Sequence, residues 1–334
     1  MRHPFRVHPS AHLVDRLCGI TTISGTLIRP GFYSHRFIFR LFAATMLTPM
    51  IRIGMSTTCV YPLPPEQAFR LARLAGFDGI EVMVTRDEGT QDAASLRELS
   101  PKFGLPIVSI HAPVLLLTHF VWGRDPRVKL ERSAQLAQDV GASTVVVHPP
   151  FRWQAGYADD FLDIVREITA STGIEIAVEN MFPWMWAGRS LRAYAPSWDT
   201  TIMDSDAVTL DFSHCALSGY DSLEMATALG DRLRHIHLCD GTGSLEEGRV
   251  FDEHLLPGRG TEPVAEVLAM LTAAHWTGAI VAEVNTRKAQ TDRERLDLLR
   301  ETLAFARRHT QPQPRRRFAR SRRAIAALRT GLTP

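Results

Sequence analysis

The residues of this 334-residue chain that could do chemistry are ionisable side chains recurring at the ends of short β-branched runs. One run ends in Ser109-Ile110-His111-Ala112-Pro113 and the next in Val145-Val146-Val147-His148-Pro149-Pro150. Ala177-Val178-Glu179-Asn180 and Thr209-Leu210-Asp211-Phe212-Ser213-His214 follow. Then come His235-Ile236-His237-Leu238-Cys239-Asp240, a loop with Asp252-Glu253-His254, and Val281-Ala282-Glu283-Val284-Asn285. A single His or Glu after an apolar run is ordinarily a hydrogen-bonded residue at the edge of a core, but here that explanation has to be repeated along the whole chain. Carboxylates and imidazoles gathered at one mouth strand or repel charge unless a cation neutralises them, so a metal site is the economical reading. Mixed His and carboxylate ligation suits Zn²⁺ or Mn²⁺ better than Mg²⁺, which prefers oxygen ligands and several waters.

Such side chains meet only if the strands that carry them lie side by side. Eight strands are expected, at Ile51–Thr57, Asp78–Val84, Leu105–His111, Ser143–His148, Ile174–Glu179, Ala207–Asp211, Arg234–Leu238 and Ala279–Val284. Longer amphipathic segments alternate with them, the pattern of parallel strands joined by crossover helices. Pro64-Pro65-Glu66 opens one helix, with Ala68, Leu71, Ala72 and Ala75 on one face and Gly76 after its end. Asp125-Pro126 starts another, which stops at Gly141. Eight strands whose starts lie roughly 25–45 residues apart fit an α/β fold of the (β/α)₈ TIM-barrel type, in which chemistry sits at the C-terminal ends of the strands.

Composition bounds the rest. With 45% hydrophobic and 22% charged residues the chain can bury a large core and is neither fibrous nor disordered. Its most apolar stretches, such as Phe37 to Leu47 with Arg40 inside, fall short of the roughly 20 residues that a membrane-spanning helix needs, so no membrane partner is expected. The four cysteines at 18, 59, 215 and 239 form no CxxC pair and are too sparse for a secreted disulfide scaffold, which places the protein in a reducing cytoplasm.

The net charge of +2 hides a division. Residues 1–49 hold six Arg and one Asp, and residues 307–334 hold nine Arg and no acid, which leaves residues 50–306 at −12. An acidic body is a poor general surface for nucleic acid. Residues 1–49 are expected to be a disordered leader or an over-long start, because Met50 stands directly before the first strand. Residues 50–306 are expected to form the catalytic barrel and 307–334 a solvated Arg-rich tail.

The pattern over about residues 51–306 resembles the xylose isomerase-like TIM-barrel superfamily, which includes sugar phosphate isomerases, ketose 3-epimerases and the endonuclease IV class of abasic-site nucleases. The segment Ala75-Gly76-Phe77-Asp78-Gly79-Ile80-Glu81-Val82-Met83 is similar to the isomerase and epimerase branch. That resemblance implies a single divalent metal, Zn or Mn, on Glu179, Asp211, His237 and Glu283. It also implies that Glu179 and Glu283 are the catalytic proton-transfer pair across the substrate, with His214 as a substrate hydrogen-bonding group. Removing a proton next to a carbonyl needs a positioned base and a cation on the oxygens that gain charge.

The endonuclease IV class implies a larger set of up to three Zn on His111, His148, Glu179, Asp211, His214, His237, Asp252, His254 and Glu283, and with it phosphodiester cleavage. The parts that would hold DNA argue against that branch: Thr85-Arg86-Asp87-Glu88-Gly89-Thr90 replaces a basic and aromatic reading loop, and Val114 stands where an aromatic wedge is expected. The expected function is therefore a metal-dependent isomerase or epimerase of a small sugar or sugar phosphate, with the zinc phosphodiesterase as the alternative and homo-oligomerisation as a family tendency.

Three further residues are candidates for holding substrate. Trp153, in Phe151-Arg152-Trp153, could stack on a sugar ring, and Arg259, in Pro257-Gly258-Arg259-Gly260, could hold a phosphate bidentately. His235, two positions before His237, shares its strand face and could donate to substrate or to a carboxylate.

Overall fold

In the computed structural model the described residues are 51–311 except 114–117, 119, 187, 188, 244, 247, 248 and 251, with the backbone alone for 185, 186, 189, 190, 245, 246, 249 and 250. The leader expected at 1–49 and the arginines at 315–329 lie outside these residues.

Eight parallel strands close into a barrel in sequence order. They are β1 (Ile53–Ser56), β2 (Gly79–Met83), β3 (Ile107–His111), β4 (Thr144–Val147), β5 (Glu175–Glu179), β6 (Val208–Asp211), β7 (Leu233–Leu238) and β8 (Ala279–Ala282). Each expected strand is present, its ends moved by at most two residues. Closure is explicit in the register, with Gly54 of β1 paired to Gly79 of β2 on one side and to Val281 of β8 on the other.

The helices form where the sequence punctuates them. Helix α1 (Pro65–Ala75) begins at a proline whose missing N–H costs nothing in a first turn, and it buries Ala68, Phe69, Leu71 and Ala72. Helices α2 (Ala93–Phe103), α3 (Pro126–Val140) and α4 (Ala155–Thr172) follow. At the start of α3 the Asp125 carboxylate accepts the N–H groups of Arg127 and Val128, and at its end Gly141 adopts φ 76°, a left-handed conformation that suits glycine. The short α5 (Phe212–Ser218) rises directly from the end of β6, followed by α6 (Ser222–Leu229), α7 (Val264–Ala273) and α8 (Asp292–His309). Helix α8 runs three residues beyond the expected end of the barrel at 306, and Arg307, assigned to the tail from sequence, pairs with Asp78 at 2.6 Å. No helix among the described residues is long and apolar enough to cross a membrane.

The loops at the C-terminal ends of the strands are elaborated. A two-stranded hairpin, Trp184–Trp186 with Arg189–Leu191, follows β5, and a second, Leu245–Glu246 with Arg249–Val250, follows β7. Around the first, Phe151, Met181, Ala193 and Tyr194 form a separate small apolar cluster.

Candidate metal centre

Seven of the nine ligand candidates end a barrel strand or lie within three residues of its end, so strand closure brings them to one end, whereas Asp252 and His254 come from the long loop after β7. Among the described residues four groups of donors assemble, the atoms of each within 4.8 Å of one another: three at the mouth, His111, His148 and Glu179; Glu179, Asp211, His237 and Glu283; and Asp211, His214 and His254; and one deeper, Glu81, His235 and His237. Glu179 and Asp211 each belong to two groups. Asp252, the ninth candidate, abuts the third group, with Oδ2 3.2 Å from His214 Nε2 and 3.0 Å from His254 Nε2. All nine residues expected of the larger ligand set are therefore together.

Glu179 is the hub. Its Oε2 lies 3.3 Å from His111 Nε2 and 3.0 Å from His148 Nε2, while its Oε1 lies 2.8 Å from His237 Nδ1. The same His237 nitrogen lies 2.8 Å from Glu283 Oε2 and 3.8 Å from Asp211 Oδ2. One ring nitrogen carries at most one proton, and three carboxylates around it exceed what hydrogen bonding can satisfy. His254 Nε2 tells the same story, since it is buried without a well-formed hydrogen bond although two carboxylates surround it. A cation shared with those carboxylates would satisfy both nitrogens, so the residues present fit a divalent metal.

The supporting groups aim the rings. The His214 ring is set by Nδ1 donating to the Asn180 carbonyl at 2.8 Å, and the His111 ring by Nδ1 against the Ala112 carbonyl at 3.1 Å, which leaves each Nε2 facing the site. The Asn180 side chain accepts the Asp211 N–H and donates to the Asp211 carbonyl, fixing the end of β6. Thr58 donates to Glu283 Oε1 at 2.9 Å and Ser213 to Asp252 Oδ1 at 2.6 Å. Asp240 accepts backbone N–H groups from Gly241, Gly258 and Glu262, which ties down the base of the loop carrying Asp252 and His254. Gly260 passes so close to the Asp240 carboxylate that a Cβ there would collide with it.

Glu81 was not among the expected site residues. It is fully buried inside the barrel. Its Oε1 lies 3.2 Å from His237 Nε2, and its Oε2 accepts from Ser109 at 2.7 Å and lies 3.2 Å from His235 Nε2. The sequence did hold a signal: a carboxylate between Ile80 and Val82 in a two-sided strand points the opposite way from both, and buried it must have partners.

The proposed substrate groups fare unevenly. A cavity of about 220 Å³ at the mouth is lined by His111, His148, Glu179, His214, His254 and Glu283 among others, so His214 is in place. His235 is not: it is fully buried beneath His237 and serves Glu81, because its position two residues earlier on β7 puts it deeper along the same face. Trp153 does not line this cavity and stacks on Phe151 at 4.5 Å as part of the rim cluster. Arg259 also lies outside it, half exposed and paired with Glu301 of α8 at 2.8 Å. Thr58, Asn285 and Arg287 line the cavity and were not anticipated.

The charges respond to one another. Burial opposes the ionised form of Glu283, yet attraction to His237 outweighs it and holds the carboxyl at about 2. Burial likewise opposes a charged His214, but Asp211 and Asp252 raise it to about 10, and His237 and His254 also rise well above the usual imidazole range. Burial pushes His148 down instead. These raised imidazoles are protonated near neutral pH in the metal-free protein, and a ligating nitrogen must be free of its proton. Metal loading is thus expected to release protons, and apparent affinity to rise with pH. Calorimetric Zn²⁺ titrations in buffers of different ionisation enthalpy measure this directly; heats independent of the buffer would show that the imidazoles are already neutral.

Comparison with known proteins gives the setting. The family described as xylose isomerase-like TIM barrel matches residues 69–309. An uncharacterized protein of Mycobacterium tuberculosis is 44% identical over 282 residues, covering 79% of this chain and 99% of the relative. Fructoselysine 3-epimerase of Escherichia coli O157:H7 is 23% identical over 264 residues, covering 71% of this chain and 91% of that protein. Among solved structures, a D-tagatose 3-epimerase-like protein matches with a TM-score of 0.55 at 21% identity, over 78% of this chain and 100% of the other, a likeness of fold.

Proposed function

From the premise that this chain belongs to the xylose isomerase-like TIM-barrel family, we propose that it is a divalent-metal-dependent isomerase or epimerase of a small sugar or sugar phosphate. One observation carries the reading: Glu179 and Glu283 stand three strand positions apart around the barrel, both line the cavity, and each brings a carboxylate oxygen to 2.8 Å from Nδ1 of the buried His237. Glu179, Asp211, His237 and Glu283 would hold the metal, Zn or Mn. When bound, that ion supplies polarisation of the substrate oxygens and neutralises the charge that develops on them.

The chain's own residues do the rest. Carboxylates on two sides of a substrate allow one to take the proton from the carbon next to the carbonyl and the other to return it on the opposite face, which inverts that carbon. Attraction to His237 keeps Glu283 ionised at working pH, the form a base must start from. The Thr58 hydroxyl on Oε1 leaves Oε2 to act and keeps the group from turning. The cavity volume of about 220 Å³ suits a single sugar unit.

A second reading rests on a specific observation, the assembly of all nine donors in overlapping groups. Three ions there would suit hydrolysis of a phosphodiester, one generating hydroxide and the others stabilising the attacking and leaving oxygens. The two readings separate in one experiment. Metal-loaded protein is incubated in D₂O with a panel of ketoses and ketose phosphates and, in parallel, with bis(4-nitrophenyl) phosphate. The proposal expects deuterium at one carbon next to the carbonyl of a panel member. Nitrophenol release with three Zn²⁺ per chain and no deuterium would put the hydrolase in its place.

A further inference from the structure

The cavity over the metal ligands carries one cation that is neither a ligand nor used by the proton-transfer scheme. Arg287 lines it, four residues after Glu283. The guanidinium lies over the ring of Tyr61, 5.1 Å from its centroid, and among the described residues no carboxylate pairs with it. Arg259, from the loop after β7, is engaged by Glu301.

The loop presenting Arg287 is fixed on both sides. The buried Thr286 donates its hydroxyl to the Cys59 carbonyl, and the Val284 N–H donates to Cys59 Sγ at 3.3 Å, which pins the loop after β8 to the turn after β1 that leads to Tyr61. Arg287 N–H donates to Asn285 Oδ1 at 3.0 Å, and Asn285 N–H donates to the His254 carbonyl at 2.8 Å, which ties the same loop to the one bearing the third ligand group. The backbone of this loop is fixed, and the exposed guanidinium over the Tyr61 ring at the lip of a small cavity is a planar, permanently charged fork suited to an oxyanion.

We propose that Arg287 is a specificity residue that selects substrates bearing a terminal oxyanion, a phosphate or a carboxylate, over neutral sugars. This deepens the function proposed above and rests on the same cavity. The guanidinium takes the anion at the lip while the remainder of the substrate reaches down to Glu179 and Glu283. The loop after the last strand is a recurrent place for phosphate in this architecture.

The test uses metal-loaded protein and three non-reacting probes of one size, glycerol 3-phosphate, D-glycerate and glycerol, with inorganic phosphate as reference for direct contact with metal. Affinities are measured by calorimetry for the wild type, Arg287→Ala, Arg287→Lys and Arg259→Ala, each checked for metal content by native mass spectrometry. An oxyanion probe is expected to bind the wild type and to weaken by about 10- to 100-fold in Arg287→Ala, the range of one charge-assisted bidentate contact. Arg287→Lys should fall between, Arg259→Ala should match the wild type, and glycerol should not bind. Which of glycerol 3-phosphate and D-glycerate binds tighter identifies the anion. Equal affinities in the wild type and Arg287→Ala, or no anion binding by the wild type, overturns the proposal. Arg287-dependent binding without deuterium exchange in any sugar would sink the isomerase reading and leave this one standing.

Discussion

Glu179→Gln is expected to abolish turnover, with a loss of at least about 10²–10⁴-fold if Glu179 is the proton-transferring carboxylate proposed above. The structure adds a second loss. Glu179 belongs to two donor groups at once, with Oε2 on His111 and His148 and Oε1 on His237. An amide offers one neutral oxygen where a carboxylate offers two charged ones, so metal content should fall together with activity. Glu283→Gln is the informative comparison, because Glu283 belongs to one group and should cost turnover with a smaller loss of metal. Native mass spectrometry and deuterium exchange on the same preparations separate the two effects. Full turnover with full metal content in both variants would remove these residues from the chemistry and leave a metal-binding module that does no proton transfer.

The second large effect is expected at Glu81, which the strand-end pattern of the sequence does not identify and which groups with His235 and His237 inside the barrel. Its carboxylate serves His237 on one oxygen and Ser109 and His235 on the other, all buried. Burial disfavours its charge, but His237 and His235 draw the carboxyl well below the usual range. Glu81→Ala leaves three polar groups in the barrel interior without an acceptor, a change that costs about 3–5 kcal/mol when one partner of a buried pair is lost. Glu81→Gln keeps the shape and removes the charge that fixes His237 with Nδ1 toward the metal ligands. Metal affinity should fall by about 10- to 100-fold, as at other sites where the group behind a ligating histidine is changed. Urea unfolding of the metal-free protein reads the first effect and competition with a chelator the second. If Glu81→Gln bound metal as tightly as the wild type, the carboxylate would serve packing alone.

These two residues mark how far the sequence could be read. Glu179 was legible because it ends an apolar strand, and the barrel rule converts strand-end position into a place at the mouth. His111, His148, Asp211, His237 and Glu283 were found for the same reason, and His214 and His254 because they follow an acid or a strand at short spacing. Glu81 stands two residues before the end of β2, and strand-end reasoning passes over it. For His235 the sequence left substrate or a carboxylate as partner, and the structure sets it beside Glu81, a choice of height that period-two alternation does not make. Trp153 and Arg259 had suitable chemistry, and the rim cluster and Glu301 took them instead.

The sequence by itself determined the eight strands, the bounds of helices α1 and α3 and the strand-end positions of the ionisable side chains, because each follows from local pattern: β-branched runs, proline and Asp at helix starts, glycine at helix ends. The tertiary structure decided what depends on distance between separated segments. It alone showed Glu179 and Asp211 shared between donor groups, the buried network of Glu81, Ser109 and His235 behind His237, and the Cys59 contacts that hold Arg287 over the cavity. Those contacts join residues up to 227 positions apart in the chain. Local preferences fix which elements form, whereas closure of the barrel fixes which side chains meet, and charge satisfaction in a buried interior depends on the meeting.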